Sequence, residues 1–235
     1  MSLYRSLLVV ASLSAFAALA GCAKDPSKDA PAAKVSEPAP EAPEEKPAAP
    51  APTVAPAAAP SPTAAAPAEA IALTGKISFI GSKVTGSHNG EFTDWKGTIA
   101  LKDSKAEGGK LEFTVQMASL ITTDANPMKE KLEGHLKSPD FFDVVKFPTA
   151  SFTSSEIVAG GPNGATHTVK GKLTLRGVTK DIEFPATLAI AGKDISGKTE
   201  FSINRKDFGI VYAGMPNDLI RDGVVIRIDA KATLP

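Results

Sequence analysis

Cysteine and histidine are scarce in this chain of 235 residues, and their scarcity excludes several kinds of site. Cys22 is the only cysteine, so the chain forms no internal disulfide and no metal site built from several thiolates. The three histidines, His88, His135 and His167, lie far apart, and none has a ligand-type residue four positions on. We therefore predict no metal site.

Excess charge and catalytic motifs are also lacking. Lys plus Arg equals Asp plus Glu at 26 each, so no basic excess marks the chain for nucleic acid. There is no Gly-x-Ser-x-Gly sequence, no phosphate-binding loop and no meaningful pair of carboxylates. We predict a protein that is not an enzyme, has no catalytic residues and needs no cofactor; an enzyme acting on lipid intermediates, with His135 as its candidate residue, is the weakest alternative.

The N-terminus has the form of an export signal. Arg5 precedes an apolar run over residues 7–19 that is short for a membrane span and suits a secretory signal. The run ends in "LAGC", which resembles the lipobox of bacterial lipoproteins, where the signal is removed and the cysteine is acylated. We predict a signal peptide over residues 1–21 and lipidation of Cys22, which places the protein in the cell envelope. Ala23 in place of Asp favours the periplasmic side of the outer membrane.

A change in composition separates the signal from the rest of the chain. Twelve of the 19 prolines lie between residues 23 and 69, among alanines and without apolar periodicity. Such a segment buries little apolar surface, so we predict a disordered linker over residues 22–69. A spacer that lifts a domain off the membrane and a passive leader both fit this composition.

Residues 70–235 read as one all-β domain. Alternating apolar residues predict eight strands, and short links between them predict antiparallel pairing. Residues 127–138 form the one predicted helix, with Met128, Leu132 and Leu136 on a single stripe. One-sided strands in this number either pack as two sheets or close into a barrel. Small residues on the apolar faces favour a barrel with a cavity: Gly171, Ala186, Gly197, Ala230 and Ala232.

Phenylalanine is concentrated in one stretch, "HLKSPDFFDVVKFPTASF" over residues 135–152, which holds four of the eleven phenylalanines. Phe141 and Phe142 are adjacent, so in extended chain they point to opposite sides, and one of them can pack against the core. Each of these rings either packs in the core or contacts a ligand, and both alternatives stay open.

Four blocks carry a family resemblance. They are "KLEGHLKSPDFFDVVKFPTASFTSS", "VKGKLTLRGVTKDIEFP", "FSINRKDFGI" and "DLIRDGVVIRIDAKA", and together with "GSKVTGSHNGEFTDWKG" they span most of residues 73–234. Their order and spacing resemble the YceI-like family. The resemblance implies an eight-stranded antiparallel lipocalin-like barrel with one short helix, a periplasmic location and possible homodimers. It also implies that the barrel encloses an isoprenoid chain, such as a polyprenyl phosphate or a quinone.

The candidate ligand-binding residues follow from this barrel. They are Phe79, Trp95, Phe113, Phe141, Phe142, Phe147, Phe152, Leu173, Phe184, Phe201, Phe208, His135, Arg176 and Arg205. The two arginines either meet a phosphate head group or form salt bridges with a nearby aspartate. Residues 204–223 form a long loop that suits a lid. The alternative function is a tethered, non-catalytic interaction or structural module with a filled barrel.

Overall fold

A computed structural model describes residues 23–38 and 70–235. No helix in these two ranges is long and apolar enough to cross a membrane. The α-helix in the described part of the chain is α1 (Lys129–Lys137). The strands are β1 (Lys34–Ser36), β2 (Ile71–Lys83), β3 (Gly86–Phe92), β4 (Trp95–Lys102), β5 (Lys105–Gln116), β6 (Leu120–Thr122), β7 (Thr149–Ala159), β8 (His167–Leu175), β9 (Val178–Ala191), β10 (Asp194–Asn204), β11 (Gly214–Met215), β12 (Asp218–Leu219) and β13 (Gly223–Thr233).

Eight strands close into an antiparallel barrel in the order β2, β13, β10, β9, β8, β7, β5 and β4, with β4 returning to β2. The prediction of an eight-stranded barrel with one short helix is therefore confirmed. Its interior follows the alternation in the sequence: in β8, for example, Val169, Gly171 and Leu175 are buried. The closed sheet leaves few free strand edges, and its inward side chains form one core.

Strand β2 pairs with two different strands along one of its edges. Its first residues pair with β4, and residues 77–83 pair with β3, while β13 lies along its other edge. Gly75 lies between the two regions with a φ of 139°, and an added Cβ would lie 2.0 Å from the carbonyl oxygen of Asp229. Only glycine satisfies both conditions, which lets β2 bend and extend beyond the barrel.

The two ends of the barrel differ. The upper end, as we name it, carries the β2–β3 turn, helix α1, residues 138–148, the turn at 176–177 and the loop over residues 205–222. The lower end carries short turns, the start of β2 and the end of β13. Long segments therefore cover one end of the barrel, and tight hairpins form the other.

Helix α1 differs slightly from its prediction. It begins at Lys129, because the Asn126 side chain accepts a hydrogen bond from the Met128 amide at 2.9 Å and holds the preceding turn. Met128 is exposed, so the predicted stripe of three apolar residues is wrong at its first member. On the inner side, Glu133 accepts from the Thr122 amide at 2.7 Å and from the Thr122 hydroxyl at 3.1 Å, which fixes the helix to β6.

The prediction of a disordered linker over residues 22–69 is wrong for residues 23–38, which we call the N-terminal strap. The strap contains a 3₁₀ turn, Pro26–Lys28, and strand β1, which pairs with β9 from Lys34↔Glu183 to Ser36↔Asp181. Ala30 is buried against Ile80 and Val225 on the outside of the barrel. Main-chain pairing, ion pairs and a few small apolar contacts hold the strap, so a composition without apolar periodicity does not reveal it. Residues 39–69, the predicted signal peptide and Cys22 lie outside the described residues.

The strap fills a gap in the barrel wall. Strands β9 and β10 pair only from 187↔198 to 191↔194, and Pro185, which has no N–H, lies where they separate. Above this point the Ser202 amide donates to the Pro31 carbonyl at 2.8 Å, and the Ser202 carbonyl accepts from the Ala33 amide at 2.9 Å. The strap thus lies between β9 and β10, bonded to both, and Ala33 and Val35 pack against the core.

Candidate functional site

The upper half of the barrel contains an apolar cavity of about 130 Å³, which we call the chamber. Its wall includes seven phenylalanines: Phe79, Phe92, Phe113, Phe142, Phe152, Phe184 and Phe201. Most of the remaining wall is aliphatic, and Ser151 and Arg205 are its polar members. The volume is close to that of an engineered core cavity of about 150 Å³ that stays dry and binds benzene. The chamber is therefore suited to a small apolar group.

Glycines determine where several of these rings lie. A Cβ on Gly90 would lie 2.2 Å from the Phe79 ring, and one on Gly97 would lie 2.8 Å from Phe113. The inference that small inward residues leave free space is therefore wrong for Gly171, because the Phe152 ring occupies that space at 2.7 Å. These glycines allow aromatic rings to lie flat against the sheet, and the rings fill much of the barrel.

A second apolar cavity of about 40 Å³ lies toward the lower end. Three of the small residues, Ala186, Gly197 and Ala230, line it, as the sequence analysis expected of small inward side chains. Ala232 is buried in the core and lines neither cavity. The chamber and the lower cavity share Phe113, Phe184 and Ile228 as wall residues, so these side chains form the partition between them.

The chamber brings together eight of the fourteen candidate ligand-binding residues and leaves six outside. Those in its wall are Phe79, Phe113, Phe142, Phe152, Leu173, Phe184, Phe201 and Arg205. Trp95 packs on Phe113 with ring centroids 5.9 Å apart, Phe147 covers Gly177, and Phe208 is fully buried in the core.

Phe141 and Phe142 have different surroundings, although they lie in a turn and not in extended chain. Phe142 lines the chamber and meets Phe92 edge-on at 6.4 Å. Phe141 packs outside the chamber with His135 at 4.9 Å and Tyr212 at 5.4 Å. This outer aromatic cluster joins the end of α1 to the loop over residues 205–222.

Several residues of the chamber wall are absent from the candidates chosen from the sequence. Phe92 is the main aromatic omission, and the aliphatic members are Ile77, Val115, Met117, Ala150, Leu175, Ile182, Ile203, Ile210, Val224, Ile226 and Ile228. Most of them stand on the same alternating faces as the chosen residues, so the period-two pattern identifies them. The candidate set consists mainly of aromatic residues and therefore left them out.

The Arg205 side chain forms several hydrogen bonds with the loop over residues 205–222. The side chain is 4% exposed, and it donates to the carbonyls of Ile210 at 2.6 Å, Arg221 at 3.1 Å and Ile220 at 3.2 Å. It also contacts Asp222 at 3.3 Å, so the predicted salt bridge is present. Burial lowers the pKa of Arg205, and the charge of Asp222 opposes that shift. The guanidinium is committed to the protein, and its stem forms part of the chamber wall.

Arg176 also holds the upper loops together. It lies in the two-residue turn between β8 and β9 with a φ of 51°, a conformation that favours glycine or asparagine. Its guanidinium donates to the Gly209 carbonyl at 2.6 Å and to the Pro139 carbonyl at 2.7 Å. Arg176 thus bridges residues 138–148 to the loop over residues 205–222 and does not face the chamber.

The histidines pair separately. His88 contacts Asp124 at 2.8 Å, His135 contacts Asp140 at 3.1 Å, and His167 contacts the Thr166 hydroxyl at 2.8 Å. Within residues 23–38 and 70–235, no three metal-ligating side chains lie close enough to hold a metal ion.

The closed antiparallel barrel, its covered upper end and its apolar chamber define a class: lipocalin-like barrels that enclose an apolar interior. Residues 72–232 match the YceI-like domain. The chain belongs to the YceI-like family, as its sequence blocks predict.

Curated relatives agree with this assignment, and solved structures share the barrel fold. A UPF0312 protein of Pseudomonas savastanoi is 38% identical over 145 residues, which cover 59% of this chain and 70% of the relative. A UPF0312 protein of Pseudomonas fluorescens is 37% identical over the same shares. The crystal structure of Burkholderia cenocepacia BcnA aligns with a TM-score of 0.58 at 24% identity, covering 67% of this chain and 96% of BcnA.

A further fold relative is described as a polyisoprenoid binding domain from Saccharophagus degradans. It aligns with a TM-score of 0.54 at 15% identity, covering 72% of this chain and all of that domain. At this identity the likeness establishes the shared barrel fold.

Proposed function

We propose that this protein binds the tail of an isoprenoid lipid in the chamber. The observation that carries the proposal is the chamber itself, a wall of phenylalanine and aliphatic side chains inside a barrel. Such a wall gains free energy by covering apolar carbon and offers a polar group almost no partners. The Saccharophagus domain, described as binding polyisoprenoid, supports this choice of ligand.

The chamber wall favours the chain of the lipid over its head group. Arg205 is its charged member, and that guanidinium already has four acceptors. A phosphate inside the wall would lack a free partner and would lose its hydration, which is costly. A neutral isoprenoid chain therefore occupies the interior, and a charged head group stays outside. A quinone or a polyprenyl phosphate fits this arrangement.

The chamber as it stands accommodates about one isoprene unit, by comparison with a cavity that holds benzene. A longer tail needs the lower cavity as well, and the rings of Phe113 and Phe184 separate the two. Rotation of these rings joins the two spaces into one channel along the barrel axis.

Anchoring at the membrane is the second part of the proposal. The lipobox at Cys22 supports acylation there, with residues 1–21 removed, and the Ala23 that follows supports the outer membrane. Acyl chains contribute about 0.8 kcal/mol per buried methylene, so several chains hold a protein firmly in a bilayer. The barrel then works beside the lipids from which its ligand comes.

Thermal unfolding with and without ligand tests the binding proposal. The full chain is titrated with a short-chain polyprenol and a short-chain quinone, with a straight-chain alkane of similar length as control. At a free ligand concentration of about 100 Kd, binding stabilises the folded state by about 2.7 kcal/mol. For a domain of this size that raises the midpoint by about 5–10 °C. An unchanged midpoint with every isoprenoid contradicts the proposal.

A matched pair of variants locates the binding. Ala150 is buried in the chamber wall, and Ala150→Leu places about three further carbons in the empty space. This variant should lose the ligand-induced rise while its unliganded midpoint holds or increases. Ala189 is exposed on the outside of β9, and Ala189→Leu should keep the full rise.

A non-catalytic interaction module is the alternative, and the glycine positions favour it. The rings of Phe79, Phe113 and Phe152 already occupy the space that glycines open in the barrel. Under this reading the barrel is filled, Ala150→Leu causes overpacking of about 1–3 kcal/mol, and no isoprenoid changes the midpoint.

A further inference from the structure

The first described residue is fixed at the upper end of the barrel. The Ala23 amide donates to the Val84 carbonyl at 3.1 Å, and the Ala23 carbonyl accepts from Arg221. Arg221 also donates to the Lys24 carbonyl at 3.2 Å. Ala23 follows Cys22 directly in the chain, so these contacts place the proposed acylation site one residue from the β2–β3 turn.

The rest of the strap keeps Ala23 in this position. Ser27 packs on Gly223, where an added Cβ would lie 2.2 Å from the Ser27 hydroxyl oxygen. Ala30, Ala33 and β1 then attach the strap to four successive strands of the wall. An anchor at Cys22 is therefore joined rigidly to the barrel and does not swing on a long linker.

Exposed apolar side chains are concentrated at the same end. Among the described residues six large apolar side chains are exposed, and four of them lie in segments of the upper end: Val145, Val211, Met215 and Leu219. Met128 directly precedes α1. The sixth, Ile190, lies at the lower end. Exposed apolar side chains that are concentrated on one side of a protein indicate an interaction surface.

The hairpin β11–β12 carries two of these side chains beside Ala23. Val84 donates to the Leu219 carbonyl at 3.0 Å and accepts from the Ala23 amide, so the three residues lie side by side. Met215 is 63% exposed and Leu219 is 49% exposed. The nearby acids are neutralised, because Asp218 pairs with Lys83 and Asp25 lies 3.8 Å from Arg221.

We propose that the upper rim, formed by Ala23, Val84 and the hairpin over residues 214–219, rests on the lipid bilayer. This inference rests on the proposed acylation of Cys22 and adds the orientation of the barrel. Met215 and Leu219 lie in the head-group region, where apolar side chains next to an acyl anchor strengthen membrane contact. The chamber, whose wall includes Phe142, Arg205 and Ile210 from the upper segments, then faces the bilayer.

Depth-dependent fluorescence quenching tests this orientation. The acylated full chain has no free thiol once Cys22 is modified, so Met215→Cys, Leu219→Cys and Ile190→Cys each carry a single fluorophore. The proteins are reconstituted on vesicles of phosphatidylethanolamine and phosphatidylglycerol with nitroxide-labelled phosphatidylcholine. We expect strong loss of fluorescence at Met215 and Leu219 and none at Ile190. Ile190 is the matched control, because it is an exposed aliphatic residue at the opposite end.

The outcomes separate this inference from the anchoring proposal. The intact mass of the protein reports acylation, and an unacylated chain refutes the anchor and the orientation together. An acylated, vesicle-bound protein whose Met215 and Leu219 probes are quenched no more than the Ile190 probe refutes the orientation alone. Protection of these two probes in a dimer without vesicles also overturns it, because a second copy then covers the rim.

Discussion

Replacement of Arg205 by methionine distinguishes a structural arginine from a head-group ligand. Met keeps much of the stem that lines the chamber and removes all four polar contacts of the guanidinium. Hydrogen bonds to a charged group contribute about 1.5–3 kcal/mol each. Their simple sum is too large here, because the carbonyls of Arg221 and Ile220 are only partly buried and regain water, whereas the carbonyl of Ile210 is buried and is left without a partner.

We therefore expect Arg205→Met to lower the free energy of unfolding by about 3–5 kcal/mol, which corresponds to roughly two of these charged hydrogen bonds. This corresponds to a fall in midpoint of about 6–20 °C for a domain of this size. Urea unfolding measures the loss, and hydrogen exchange should show the largest loss of protection over residues 209–222. Arg227→Met is the control, since Arg227 forms an exposed pair with Glu200 and its loss should cost less than about 1 kcal/mol.

The result that refutes this reasoning is a stable Arg205→Met protein. A loss below about 1 kcal/mol, together with weaker binding of a polyprenyl phosphate and unchanged binding of a polyprenol, would assign Arg205 to the head group. The hydrogen bonds between Arg205 and the loop would then contribute little to the free energy of unfolding.

Two further predictions concern α1 and the strap. Hydrogen bonds from Thr122 hold the pKa of Glu133 below its usual value, so its contribution to stability is present above the pKa of an unfolded glutamate and is lost as pH falls through the lower folded pKa. Urea midpoints should show Glu133→Gln less stable than the parent at neutral pH and equal to it in strong acid, with exposed Glu130→Gln unchanged throughout; a constant difference contradicts this. Ala30→Asp places a charge in a buried contact and should release the strap, seen as fast hydrogen exchange over residues 23–38, whereas exposed Ala32→Asp should not. Slow exchange in Ala30→Asp, or unfolding of the whole barrel with it, would show that the strap is not a separate unit.

The barrel and part of the chamber wall are readable from the sequence for one physical reason. Strand side chains alternate, so each apolar face in residues 70–235 predicts which residues point inward. Phe141 and Phe142 lie in a turn outside the strands, so their different surroundings do not follow from this rule. Where the chain obeys this alternation, the prediction and the structure agree.

The strap and the role of Arg205 could not be predicted in this way. β1 pairs through its main chain, and main-chain hydrogen bonds leave no signature in a run of alanine, lysine and proline. Arg205 bonds chiefly to carbonyl oxygens, which every residue possesses, so its partners are set by the path of the loop. The filling of Gly171 by Phe152 likewise depends on cross-strand register, which single-strand patterns do not specify.

The docked strap changes what the segment rich in alanine and proline does. Its 31 residues, 39–69, begin and end at positions that belong to the same barrel, since β1 lies on β9 and β2 is part of the wall. The segment thus connects two parts of one loop that the non-covalent docking of the strap closes, and the strap is an intramolecular ligand of the barrel. Closing a loop of this size costs about 3 kcal/mol, and the effective concentration of such a tethered ligand is of the order of millimolar. A strap segment supplied as a free peptide, or by a neighbouring copy, would therefore have to reach about that concentration before it displaced the protein's own.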